Sequence, residues 1–223
     1  MNELELLIAN PLLNISIASA EAGMDVLCEK PMTRFVAEGR AVVNAFKRYG
    51  RIFQIGTFGR FGRSKDKHAV LKHKIMSSGL LKDCRAVRKK KGGLKVKQWS
   101  GTPGIAPQTI PENLEWDLYC GPSPWKPYES RRTGGTHRGY WDYEGGGMCD
   151  MGQHHFDPEQ WTYAKDYTSP VEITPFAPPA HPEVTGMWAW VELKYADGFK
   201  FVMESTEWGP SYEQDAVRDV SMN

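Results

Sequence analysis

Asp150 and His154 stand four residues apart in the run Gly145-Gly146-Gly147-Met148-Cys149-Asp150-Met151-Gly152-Gln153-His154-His155-Phe156-Asp157. In a helix that spacing puts a carboxylate and an imidazole on one face. A carboxylate beside an imidazole holds it in one tautomer and raises its basicity, which suits a general acid/base. The same residues also read as a glycine-led helix entry with a hydrogen-bonded polar cluster, and the run alone does not separate the two. His154 and His155 are adjacent, so they point apart on a helix. Neither Asp150 nor His137 adds a third ligand at recognisable spacing, and no metal is expected.

The elements that must position this run begin near the N-terminus. Asn10 and Pro11 read as a cap and a first helical residue, opening a largely buried helix over 11–22 that Gly23 stops. A short buried strand over 25–28 leads into Glu29-Lys30-Pro31. Thr33 is placed to cap a second helix reaching Tyr49, followed by a strand over 51–56. Helix, strand, helix, strand with short turns is the rhythm of a parallel sheet covered by helices. A Gly/Arg-rich connection over 57–64 then marks a domain boundary near residue 60. Beyond it, Ser64 is placed to cap a third helix over 65–77, with Val70, Leu71, Ile75 and Met76 facing inward, and a strand follows around 83–89.

The 223 residues are 40% hydrophobic and 25% charged, as in a soluble globular protein. The net charge of +1 argues against an overall polyanion binder. Seven basic residues lie within 85–97, but lysines also protect sheet edges, and no nucleic-acid partner is expected. No apolar run approaches a membrane span, so no membrane partner is expected either. Cys28, Cys84, Cys120 and Cys149 form no Cys-x-x-Cys pair and read as free thiols in a reducing compartment. With no basic, apolar leader at the start, the expected location is cytoplasmic.

Six prolines over 101–128 exclude any long regular element there. Trp116, Tyr119, Trp125 and Tyr128 within that segment either line a sugar-sized pocket or pin the loop to the core. Asp157-Pro158-Glu159 reads as a cap, a first-position proline and a first-turn acid, so the helix that follows the glycines should restart or kink there. From Thr185 the hydrophobic period becomes two. Met187, Ala189, Val191, Leu193 and Tyr195 fall on one face; Trp188, Trp190, Glu192 and Lys194 fall on the other. With a turn at Ala196-Asp197-Gly198 this predicts an antiparallel hairpin.

Two motifs resemble those of the glucose–fructose oxidoreductase / inositol dehydrogenase / MocA (Gfo/Idh/MocA) family of NAD(P)-dependent oxidoreductases. The first is Ala22-Gly23-Met24-Asp25-Val26-Leu27-Cys28-Glu29-Lys30-Pro31. The second is Gly145-Gly146-x-x-x-Asp150-x-Gly152-x-His154-x-x-Asp157, and Glu115-Trp116-Asp117-Leu118-Tyr119-Cys120-Gly121-Pro122 is similar to a signature of bacterial sugar-processing members. The resemblance implies an α/β fold: a partial Rossmann-like parallel βα unit over 1–60, then an α+β domain with a mainly antiparallel sheet over 61–223. It implies hydride transfer from a secondary alcohol carbon of a sugar or polyol to NAD or NADP. Lys30, Asp150 and His154 become the catalytic candidates. Glu29, Lys30 and Pro31 shape the nicotinamide pocket, and Arg60, Trp116 and His155 are substrate-binding candidates. A homo-oligomer formed through the open sheet face, with Trp188, Trp190 and Trp208, is also implied.

The family's strand–Gly-x-Gly-x-x-Gly–helix unit, which cradles the pyrophosphate, has no counterpart in this sequence. The expectation is therefore a chain truncated at the N-terminus, and at the C-terminus as well, that binds NAD(H) or NADP(H) weakly or not at all. The alternative function is a non-catalytic assembly or binding subunit of the same fold.

Overall fold

The computed structural model describes residues 11–57, 60, 67–90 and 96–212. Most of the 57–64 connection, Ser64, Lys91 and Lys95 lie outside them. The N-terminal part is α1 (Pro11–Glu21), β1 (Val26–Glu29), α2 (Val36–Tyr49) and β2 (Phe53–Gly56). β1 and β2 pair in parallel, with Val26 opposite Phe53 and Glu29 opposite Gly56, as the alternation of elements predicts. Leu13, Ala20, Val42 and Phe46 form the buried core between the helices and the strands. Gly50 ends α2 at φ 61°, a left-handed backbone that glycine adopts without a Cβ clash.

Two expectations change here. α1 is buried on one face only, and Ile15 on its outer side is 63% exposed. The second helix starts at Val36 rather than after Thr33. Buried Glu38 reaches back so that its Oε2 accepts the Arg34 and Phe35 N–H groups, each at 3.0 Å. That carboxylate supplies the acceptor that a capping side chain would otherwise provide.

The second part contains α3 (Lys67–Ser77), β3 (Ala86–Lys90), α4 (Trp116–Cys120), α5 (Gln153–Thr162), β4 (Glu172–Phe176), β5 (Trp190–Lys194) and β6 (Lys200–Glu204). Its four-stranded sheet has the order β3-β6-β5-β4. The predicted hairpin is β5–β6, and β4 adds to it antiparallel. β3 pairs with β6 in parallel, so the sheet is mixed. Its core contains Val96, Trp188, Leu193, Tyr195, Phe199, Phe201 and Met203. α5 lies on this sheet, with Phe156 against Phe201 and Tyr163 against Phe199.

Trp188 is therefore a core residue, not part of an outward face. Period-two alternation applies only from Trp190, where the strand begins. In α3, Val70 and Leu71 are exposed rather than inward, and the helix instead meets α5 by stacking His73 on Trp161, with centroids 4.6 Å apart. α5 runs without interruption through Pro158. Asp157 does not restart it, because its carboxylate is engaged by Arg60.

β3 is a sheet edge, and its basic residues are matched by acids. Arg88 pairs with Glu204 at 2.6 Å, Lys90 with Glu204 at 3.7 Å, and Lys89 with Glu159 at 3.0 Å. Both glutamates are buried, and a buried carboxylate is stable only when paired. This accounts for three of the seven basic residues without a polyanion.

Candidate active site

Lys30 follows the carboxyl end of β1, and the Lys30–Pro31 peptide is cis. Open α/β sheets bind ligands at the carboxyl ends of their strands. Asp150 lies on a single π-helical turn, Met148–Gly152, that runs directly into α5. Such turns often occur at functional sites. Gly146 lies just before this turn. Its φ is +70°, and a Cβ there would stand 2.7 Å from Thr185 Oγ1, whose hydroxyl donates to the Trp99 carbonyl. The close approach is thus to the protein's own chain.

Lys30 and Asp150, 120 residues apart, meet directly. The Lys30 ammonium contacts Asp150 Oδ1 and also donates to the Asp150 carbonyl at 3.1 Å. Both side chains are nearly buried, at 13% and 8% exposure. The other carboxylate oxygen, Oδ2, faces Arg138 Nε at 3.0 Å. Arg138 comes from a 3-10 helix, Gly134–Gly139, and sits over the Trp99 ring. Its Nε also lies 3.5 Å from Glu144 Oε2, and His137 Nε2 is 3.7 Å from the same oxygen. Asp150 thus joins two cations from different parts of the chain.

His154 opens to solvent on the first turn of α5. Partial burial pulls its pKa below the ordinary histidine value, and the positive charge of Lys30 pulls the same way. Asp150, Glu29 and Asp157 oppose them. The imidazole is therefore neutral, and competent as a base, at neutral pH. The Glu144 carboxyl is pushed up to about 7, first by burial and then by the negative charge of Asp150, against the pull of Arg138 and Lys30. Burial likewise raises the Cys149 thiol, so this cysteine is protonated rather than a thiolate nucleophile.

The remaining expected site residues are placed as follows. Glu29 is exposed at the end of β1, and Pro31 is half-buried beside Lys30. Arg60 makes a fork to Asp157, with Nε to Oδ2 at 2.9 Å and Nη2 to Oδ1 at 2.5 Å, and a second pair of bonds to Asp166. Its guanidinium therefore ties its segment to α5. Trp116 is 3% exposed, donates its Nε1–H to the Lys126 carbonyl and packs against Tyr119 and Tyr128. It pins the proline-rich segment. A cavity of about 180 Å³ in the same segment is lined by Thr102, Ile105, Lys126, Glu129, Arg132 and Tyr140, among others, and not by Trp116. His155 is half-buried, and its carbonyl accepts from Lys89 at 3.4 Å. Arg138 and Glu144 are absent from the expected set. The only sequence signal for either is a charged residue directly before the three glycines.

Two family profiles match the chain. Residues 13–57 match the NAD-binding Rossmann fold of an oxidoreductase family, and residues 67–216 match that family's C-terminal alpha/beta domain. No curated protein matches at the sequence level. Among solved structures, the dehydrogenase WlbA of Chromobacterium violaceum, in complex with NADH and UDP-GlcNAcA, superposes with a TM-score of 0.55 at 18% identity, covering 87% of this chain and 45% of that one. An aldose-aldose oxidoreductase of Caulobacter crescentus, complexed with glycerol, gives 0.52 at 20% identity, covering 90% and 52%. GenD2 from gentamicin A biosynthesis, in complex with NAD, gives 0.52 at 17% identity, covering 90% and 47%. The chain spans about half the length of these structures, and at such identities the likeness is one of fold. The C-terminal profile alone spans more than half of the sequence, and the chain belongs to the Gfo/Idh/MocA oxidoreductase family.

Proposed function

We propose that the Lys30–Asp150–His154 cluster serves hydride transfer between a secondary alcohol carbon of a sugar or polyol and a nicotinamide. The observation that carries this reading is the Lys30–Asp150 contact. It joins the carboxyl end of a parallel strand in the region matching the Rossmann profile to the π-helical turn of the other matched region. A division near residue 60 into a cofactor side and a substrate side follows from the same reading. The sugar or polyol class draws on WlbA and the aldose-aldose oxidoreductase, which are relatives in fold.

The nicotinamide, when bound, supplies the hydride acceptor. Glu29, Lys30 and Pro31, at the strand end, are placed to border it. No residue run here supplies the glycine-rich cradle for its pyrophosphate, so no further part of the cofactor is assigned to this chain. In oxidation of an alcohol, neutral His154 takes the hydroxyl proton at an imidazole nitrogen. The Lys30 ammonium stabilises the alkoxide character that develops on the same oxygen. Asp150 holds that ammonium in place through Oδ1 and its backbone carbonyl.

The test is turnover of a panel of sugars and polyols at millimolar NAD or NADP, followed by nicotinamide absorbance. Cofactor-dependent turnover that drops by about 100-fold or more in both Lys30→Ala and His154→Ala is expected. Wild-type turnover untouched by either substitution would refute the assignment.

A second reading, an assembly subunit, rests on the sheet face opposite α5. There Phe176 stacks on Trp190, with Trp208 alongside, and Phe176 is 41% exposed. A stable oligomer with no turnover would select it.

A further inference from the structure

Glu144 is the one acidic group of this site that the reading above does not use. It directly precedes the three glycines and is nearly buried, with its side chain 12% exposed. Its Oε2 faces Arg138 and His137, whereas Oε1 is buried with no hydrogen-bond partner among the described residues. A carboxylate kept for structure alone normally has both oxygens satisfied. Arg138 Nε lies between two acids, 3.0 Å from Asp150 Oδ2 and 3.5 Å from Glu144 Oε2, and among the described residues it is buried with a hydrogen bond to neither, so nothing fixes it on one of them. The two carboxylates therefore compete for one guanidinium, and Asp150 is also the partner of Lys30.

We infer that Glu144 is a positioning residue that sets how firmly Asp150 holds the Lys30 ammonium, by taking or releasing the Arg138 guanidinium. The inference rests on the dehydrogenase reading for its purpose, but not for its geometry. When Glu144 is ionised, Arg138 is shared and the Asp150 charge is left more fully to Lys30. When Glu144 carries a proton, Arg138 turns wholly to Asp150, and Lys30 loses both that share and the distant attraction of Glu144. The charged and titratable groups facing Glu144 are Arg138 and His137 from the 3-10 helix, Cys149 and Asp150 from the π-helical turn, and Lys30 from the end of β1. Of these, Asp150 and burial raise the Glu144 carboxyl to about 7, so the switch between its two states falls near neutrality.

The direct test reads Lys30 itself. The rate of acetylation of its amine by trace acetic anhydride is measured by peptide mass spectrometry in the full chain at mildly alkaline pH. Glu144→Gln keeps the shape and removes the charge, and Lys30 should label about three- to tenfold faster. Glu172→Gln, on exposed β4, is the distant control and should leave the rate unchanged. If Glu144→Gln fails to fold, Glu144→Asp retains the charge at a greater distance and should label at an intermediate rate. A folded Glu144 variant with the wild-type Lys30 rate overturns the inference. Turnover separates the two claims. Altered Lys30 labelling in a chain with no turnover keeps the inference and sinks the dehydrogenase reading. Turnover whose pH profile is identical in wild type and Glu144→Gln, with unchanged labelling, does the reverse.

Discussion

Asp150 is the residue through which the charges of the site are coupled. Removing Lys30 leaves it with Arg138 alone, so Lys30→Ala should lower unfolding stability by about 1–3 kcal/mol in urea titrations. It should also raise the His154 pKa, since the Lys30 charge is the second cause of its depression after burial. An NMR titration of the His154 ring, compared between wild type and Lys30→Ala, checks this; an unchanged midpoint contradicts it. Glu144 gives a stability prediction of defined sign. Its folded-state pKa is raised from the ordinary 4.5 to about 7, so the folded state binds the extra proton between those values. Its contribution is therefore fully present below pH 4.5, is lost as pH rises through about 7, and is constant above. The stability difference between wild type and Glu144→Gln should fall by roughly 3 kcal/mol across that window. A difference that stays flat with pH would show an unshifted carboxyl.

Two elements hold these residues in place. α2 begins next to Lys30-Pro31, and its start relies on buried Glu38 accepting two backbone N–H groups. Glu38→Ala should cost about 1–2 kcal/mol, the usual loss for a helix start. Glu38→Gln, which keeps an acceptor oxygen, should recover part of it in the same denaturation experiment. Gly146, just before the π-helical turn, is tightly placed. An alanine there meets both a left-handed φ and Thr185, whose hydroxyl is already committed to Trp99. Gly146→Ala should destabilise by about 1–3 kcal/mol and displace Asp150, so turnover should fall with stability. Full stability in this variant would mean that the backbone relaxes there.

The two-stranded parallel sheet carries helices on one face, and Leu27 in β1 is 72% exposed. On the proposed reading, Glu29, Lys30 and Pro31 border only the nicotinamide, and the sequence has no glycine-rich phosphate cradle. Calorimetric titration of the isolated chain with NADH or NADPH should give weak binding, with a dissociation constant above about 100 μM and thus less than roughly 5.5 kcal/mol of binding free energy. Micromolar binding would contradict this. On the other sheet, Phe176, Trp190 and Trp208 pack together on one face. If the chain self-associates through it, Trp190→Glu should reduce the mass measured by light scattering.

Much of the fold was legible in the sequence because it depends on local patterns. The hydrophobic period set α1, α2, β1, β2 and the β5–β6 hairpin to within a few residues, and glycines marked their ends. Lys30, Asp150 and His154 could be named from two motifs. What the sequence by itself determined is thus the kind of elements and their order, and it named three candidate side chains. Only the tertiary structure decided which of those side chains touch. It brought Lys30 to Asp150, gave Arg60 to Asp157 and Asp166, buried Trp116 and Trp188, and paired β3 with β6 in parallel. It also added Arg138 and Glu144, which no spacing predicts. The reason is physical: periodicity reports which face of one element is apolar, whereas ion pairing and pKa depend on burial among residues far apart in the chain.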